Sequence, residues 1–169
     1  MGRIPITVEL LRAHGACGPG IKHFREIFPA KEHPDGVRVT LENMRKARRK
    51  GAALWFLEDI LTSYLTYTQV RMFRRREMTL SRWRRRQNGA IEGRYIRAIG
   101  KARVEAELSR AGFKCRAEKR RLESEYQDRY RRLLLAAWKT LERSSDVHAR
   151  WGEKVVLGRG TGSQFHQRS

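Results

Sequence analysis

Acidic residues are scarce in this chain of 169 residues: 18 Asp and Glu stand against 38 Lys and Arg, leaving a formal charge of +20. A small domain with so much charge of one sign repels itself unless an anionic partner or salt offsets it. Cysteine is scarcer still. Cys17 and Cys115 are the two present, too few for a disulfide framework, which fits a reducing compartment. Long apolar runs are missing: mean hydropathy is −0.71, and no stretch approaches the roughly 18 residues of a membrane-spanning helix. No membrane insertion is therefore expected. The opening Met1-Gly2-Arg3-Ile4-Pro5-Ile6 lacks an apolar signal segment, and Ile6 stands where a myristoylation signal takes Ser or Thr.

Patterns for catalysis and for metal or cofactor binding are lacking too. His14, Cys17 and His23 are close in sequence, but they straddle a turn and have no fourth ligand, so a buried thiol and surface imidazoles describe them better than a metal site. Cys115 falls on an apolar stripe and reads as core. Glu58-Asp59 follows an apolar run and reads as solvent-facing, so no acidic cluster offers itself for Mg²⁺-assisted phosphodiester cleavage. The Gly158-Arg159-Gly160-Thr161-Gly162 run has a G-x-G look without the Lys-Ser/Thr of a phosphate loop. The expectation is a protein without metal, cofactor or enzymatic activity, with a nuclease as the outlier.

What is present is helical periodicity. Apolar residues make up 40% and aromatics 9%, enough for a modest core in one domain or a small domain with an arm. Thr7 reads as the N-cap of a first helix with Val8, Leu10 and Leu11 on its apolar side and Gly15 as its stop. Pro19 or Gly20 opens a second through Ile21, Phe24, Ile27 and Phe28, ended by Pro29. Val37-Arg38-Val39 is a brief extended piece that makes no sheet on its own. Thr40 caps a third helix, carrying Leu41, Met44 and Ala47 and ending near Gly51; Leu54, Leu57, Ile60, Leu61 and Tyr64 space a fourth. Asn88-Gly89 signals a turn, and Gly112 either a break or a tolerated interior position. From about Phe113 to Arg143, Cys115, Leu122, Tyr126, Tyr130, Leu133, Leu134 and Leu141 share one arc of a long helix. That helix should pack along a partner as a hairpin, or join another chain as a coiled coil and so form a homo-oligomer. The fold class is all-α: a small bundle over 1–65, a basic helical region over 66–150, and a flexible Gly-rich tail over 151–169.

Charge is concentrated in the middle part. Residues 1–64 hold 11 basic and 7 acidic side chains, whereas 65–150 hold 24 and 10. Eight arginines and one acid fall between Arg71 and Arg86. At 100° per residue, Arg71, Arg74, Arg75, Arg82, Arg85 and Arg86 occupy an arc of about 120°. Met72, Phe73, Leu80 and Trp83 lie nearly opposite; Arg76 and Arg84 are outliers, and Met78 intrudes on the basic face. Phosphate oxygens accept from Arg bidentately, and a polyanion along the ridge releases its counterions. A second basic cluster, Arg45-Lys46-Ala47-Arg48-Arg49-Lys50, ends the third helix, where cations also suit the dipole; Arg48, Arg49 and Lys50 are its candidate contacts. Lys119-Arg120-Arg121 and Arg129, Arg131 and Arg132 are interleaved with acids, which suits i,i+4 pairing on a solvated surface. A solvated arginine face without ligand, or an anionic membrane surface, are the rival readings of the ridge.

Ile6-Thr7-Val8-Glu9-Leu10-Leu11, Gly15-Ala16-Cys17-Gly18-Pro19-Gly20, Phe24, Phe28-Pro29 and Val39-Thr40-Leu41-Glu42-Asn43 form a helical module that resembles the front part of uncharacterised bacteriophage and prophage proteins. The resemblance covers about the first 60 residues. It implies a bacterial or phage setting, in the host cytoplasm or in a virion, and carries over no functional residue. The expected function is non-enzymatic binding of DNA or RNA through phosphates. The alternatives are an anti-CRISPR-like inhibitor of a host protein or ribonucleoprotein complex, and a virion or structural protein assembling through the long helix.

Overall fold

A computed structural model of the chain describes residues 4–52 and 55–143, with the side chains of Trp55 and Phe56 outside that description. The tail expected over 151–169, with its G-x-G run, lies outside the described residues. Those described form an all-α protein: helices α1 (Val8–Ala13), α2 (Gly18–Ile27), α3 (Leu41–Arg49), α4 (Trp55–Tyr64), α5 (Tyr67–Lys101) and α6 (Glu105–Glu142), with a two-stranded ribbon, β1 (Pro5–Ile6) and β2 (Val37–Arg38).

Local chemistry sets the starts and stops of the short helices. Thr7 Oγ1 accepts from the Leu10 amide at 3.2 Å and Thr40 Oγ1 from the Asn43 amide at 3.1 Å, each satisfying a donor that the first turn leaves open. The second helix starts earlier than expected, at Gly18, with Cys17 in the N-cap position and Pro19 in its first turn. Gly51, at φ +81°, closes α3, and the Ala52 amide returns to the Ala47 carbonyl at 3.0 Å. That left-handed step is one a side chain adopts only with strain.

The extended piece at Val37, too short to make a sheet on its own, finds a partner in β1. Pro5 pairs with Arg38 and Ile6 with Val37, antiparallel. Gly36, at φ +90°, makes the approach possible, because a Cβ there would sit 2.9 Å from the Ile6 carbonyl oxygen. Asn43 Nδ2 donates to the Arg38 carbonyl at 2.9 Å and ties the start of α3 to β2.

The described residues divide into two compact units, one comprising 4–52, 55–70 and 134–143, the other Arg71–Leu133. The boundary expected after residue 65 does not coincide with this division. The difference lies in the end of α6. Leu134, Trp138 and Leu141 are fully buried, as are Leu10, Ile60, Leu61 and Tyr64 of the same unit, so four short helices share their core with the last turns of a fifth. At the same end of α6, Glu142 accepts from the Ile4 amide at 3.4 Å.

In the second unit the turn expected at Asn88-Gly89 is absent, and α5 runs on to Lys101. Asn88 Nδ2 donates to Glu92 Oε1 at 3.0 Å, one helical turn ahead, and so joins the helix instead of starting a turn. Gly112 is likewise interior to α6, which begins at Glu105, eight residues before the expected start. The break falls at residues 102–104. There Glu107 reaches back to accept from the Arg103 amide at 2.8 Å, tying the connection to the first turn of α6. No proline follows Pro34 in the chain, so no ring interrupts either long helix. The hairpin alternative is therefore the one found within the chain.

Two substitutions grade these contributions. Trp138→Ala should lower the stability of the first unit by about 3–5 kcal/mol through loss of a fully buried ring. Thr40→Ala, which removes one cap, should cost about 1 kcal/mol. Urea unfolding followed by circular dichroism measures both.

Candidate nucleic-acid interface

Three sets of contacts hold α5 and α6 together over Arg71–Leu133. Arg84 Nη2 forms an ion pair with Glu123 Oε2 at 2.6 Å, and its guanidinium stands 4.6 Å from the Tyr126 ring centre. Arg94 donates to Glu118 Oε2 at 2.6 Å, and Lys119 to Glu92 Oε1 at 2.8 Å. Arg129 covers the Trp83 ring at 4.0 Å. Partner numbers fall on α6 as they rise on α5, which is the register of an antiparallel pair. The inward line of α5 runs through Phe73 and Ile91, which are 3% and 5% exposed.

Arg84 lies within about 20° of that inward line at 100° per residue. Its departure from the arginine ridge is thus explained: it is a strut to α6. The ridge points the other way. Arg71, Arg74, Arg75, Arg82, Arg85 and Arg86 are all exposed along one helix without a break. Arg74 is partly compensated, with Glu77 at 2.9 Å and the Phe73 ring at 5.9 Å. The other five have no carboxylate partner among the described residues. Arg76 is exposed and unpaired too, but sits off the ridge.

The apolar backing is narrower than expected. Phe73 is buried and Leu80 and Trp83 are half-buried, but Met72 is 52% exposed; it lies about 100° from the inward line, too far round to reach α6. Met78, at 55% exposure, stands among the ridge guanidiniums. Arg48, Arg49 and Lys50 are exposed at the end of α3 in the other unit and form no ion pair among the described residues.

The acids of α6 behave differently from a simple i,i+4 surface. Arg129 does pair with Glu125 at 2.7 Å within the helix, but Glu118, Glu123 and Lys119 cross to α5. These struts are not legible in the sequence, because i,i+4 spacing offers each acid a local partner as well. Arg131 is the exception on burial: it is 7% exposed, with Asp128 at 2.7 Å and its Nε unpaired.

Repulsion along the ridge is tolerable. Two unit charges about 6 Å apart in water interact by roughly 0.7 kcal/mol, and physiological salt screens them over about 8 Å. A cleft of about 450 Å³ opens beside the ridge, lined by Ser81, Arg84, Arg85, Asn88, Lys119, Leu122 and Glu123. Glu123 and Glu92 already neutralise Arg84 and Lys119, so the uncompensated charge of this flank is that of Arg85, on the ridge.

Elsewhere, His14 meets Asp59 at 3.7 Å and the Tyr64 hydroxyl at 3.5 Å; burial pushes the Tyr64 hydroxyl up from its ordinary value. Cys17 is exposed and Cys115 half-buried. Among the described residues no group of three or more His, Cys, Asp or Glu is placed to hold a metal ion, and no helix is long and apolar enough to cross a membrane. No family model, curated protein or solved structure matches the chain.

The struts titrate. The hydrogen bond and charge of Lys119, with a further bond from Asn88, hold the Glu92 carboxyl below its usual range, and the Arg94 bond does the same for Glu118. The bond to Glu92 raises the Lys119 ammonium. Carboxylates that are more acidic folded than unfolded stabilise fully above the ordinary value and lose that contribution as pH falls through the depressed one. The raised lysine works oppositely, losing its contribution as pH climbs through the raised value. Thermal melting followed by circular dichroism should therefore be flat between roughly pH 6 and 9 and fall below about pH 4. The drop should be modest, because these groups are exposed, and smaller in Glu92→Gln and Glu118→Gln.

Proposed function

We propose that this chain is a non-enzymatic nucleic-acid-binding protein of phage or prophage origin, which takes hold of phosphates through the arginine ridge of α5. The observation that carries this reading is the division of labour among the arginines. Arg84 and Arg94 are neutralised by acids of α6, while Arg71, Arg75, Arg82, Arg85 and Arg86 face outward without carboxylate partners on one continuous helix. Of the seven arginines of α5 without a carboxylate partner among the described residues, five share this face, with Arg76 and Arg97 off it, and a need for surface charge alone does not gather them so. A polyanion lying along that face meets five to six of them within about 22 Å, at 1.5 Å rise per residue.

The contact is to the backbone of the nucleic acid. Guanidiniums set in a row along a ridge meet phosphates repeated along a strand, which positions the protein without reading sequence. Arg48, Arg49 and Lys50, at the end of α3, add a second cationic site on the other unit. An acidic protein face, as an inhibitor of a host complex would engage, also attracts such a ridge. The two differ in salt response, since nucleic acid carries a condensed counterion layer that binding releases.

With about six phosphates engaged, the logarithm of affinity for duplex DNA should fall with log salt at a slope near −5. Arg82→Gln/Arg85→Gln/Arg86→Gln together should reduce the slope's magnitude by nearly three, at roughly 0.9 for each phosphate no longer neutralised. Arg84→Gln should leave the slope alone and lower the melting temperature. Fluorescence anisotropy over a salt series measures this, and a flat response in the unaltered protein would overturn the proposal.

A further inference from the structure

The end of the α5–α6 hairpin leaves large apolar side chains open to solvent. Eight large apolar side chains are exposed among the described residues, and five of them, Ile96, Ile99, Val104, Leu108 and Phe113, flank the turn between the two helices. Past Ile91 the inward line of α5 carries Ala98, a small residue, whereas Ile96 falls within about 20° of the Arg71 direction. It is 67% exposed. On α6, Phe113 lies roughly opposite Leu122 on the wheel; Leu122 is buried and Phe113 is 66% exposed. Ala98 is itself exposed, as are nearly all residues from 96 to 110, so the end of the hairpin is open to solvent all round and its large apolar side chains lie open with the rest.

The charge around these side chains has one dominant sign. Residues 96–116 hold six basic side chains and two acidic ones, and of the two, Glu107 is engaged by the Arg103 amide. Arg97, Lys101, Arg103 and Arg110 form no ion pair among the described residues. A hairpin end closed by three residues is convex and offers no groove to enclose a partner's side chains. A second copy would confront it with the same excess of cations. An anionic lipid surface suits both features, because it yields to a convex apolar end and attracts the cations around it.

We propose that the hairpin end is a peripheral docking surface for anionic phospholipid bilayers. Ile96, Ile99, Val104 and Phe113 enter the boundary between headgroups and acyl chains, and Arg97, Lys101, Arg103 and Arg110 meet the headgroups. The hairpin meets the interface with its turn end and does not span it. This site is separate from the arginine ridge and does not depend on it.

Sedimentation of the full chain with vesicles tests the proposal, using phosphatidylcholine alone or mixed with phosphatidylserine at low and raised salt. The unaltered protein should bind the mixed vesicles and not the neutral ones, and part of the binding should persist at raised salt because apolar contact is not screened. Ile96→Ser/Ile99→Ser/Phe113→Ser should weaken partitioning by about tenfold with melting and duplex-DNA affinity unchanged, and Phe113→Trp should retain it. The proposal is overturned if the triple variant partitions like the unaltered protein, which would make the ridge alone responsible. It is equally overturned if the unaltered protein ignores anionic vesicles, or if the triple variant turns a dimer into a monomer without affecting vesicle binding.

Discussion

Like charges on one side of a helix repel, and α5 gathers five of its seven unpaired guanidiniums on a single face while holding 35 residues in one helix. What makes this possible is the ion-paired seam on its opposite side. Arg84–Glu123, Arg94–Glu118 and Lys119–Glu92 each join the two long helices, and Arg129 closes over Trp83. Individually such exposed pairs contribute little. Their value is in register: each acid of α6 that answers a base of α5 fixes which face of α5 turns inward, and the ridge is the face left over. A slip of one residue would rotate the helix by about 100° and put guanidiniums against Leu122.

The long helix α6 serves two different environments along its length. Over Glu105–Leu133 it is amphipathic and charged, with acids aimed at α5. From Leu134 to Leu141 it becomes a core element with three fully buried side chains. No sharp boundary is needed, because an unbroken helix can change its burial pattern without changing its backbone. The first unit is consequently built from segments far apart in the chain, and its small helices gain from α6 the apolar area that four short elements cannot supply by themselves.

The two functional proposals use different physics on the same hairpin. The ridge relies on charge alone and is backed by apolar residues turned inward. The hairpin end has apolar residues turned outward and charge around them. Phe73 and Ile96 illustrate the contrast: both are large and apolar on α5, one 3% and the other 67% exposed, and the difference is which side of the helix each occupies.

Much of the architecture is readable from residue order. Apolar spacing and the caps at Thr7 and Thr40 place the first four helices, since a helix end depends on groups within a turn of it. The six-arginine arc follows from a 100° step. The pairing of β1 with β2 is not readable, because two residues at each end of a long separation carry no local signal. Nor is the continuity of α5 through Asn88-Gly89, where a side-chain bond to Glu92 and packing against α6 outweigh the turn preference of that dipeptide. Helices, ridge and charge are thus properties of residue order. Which arginines are neutralised is a property of packing, because a carboxylate four residues away and one on a facing helix look equally close until the helices meet.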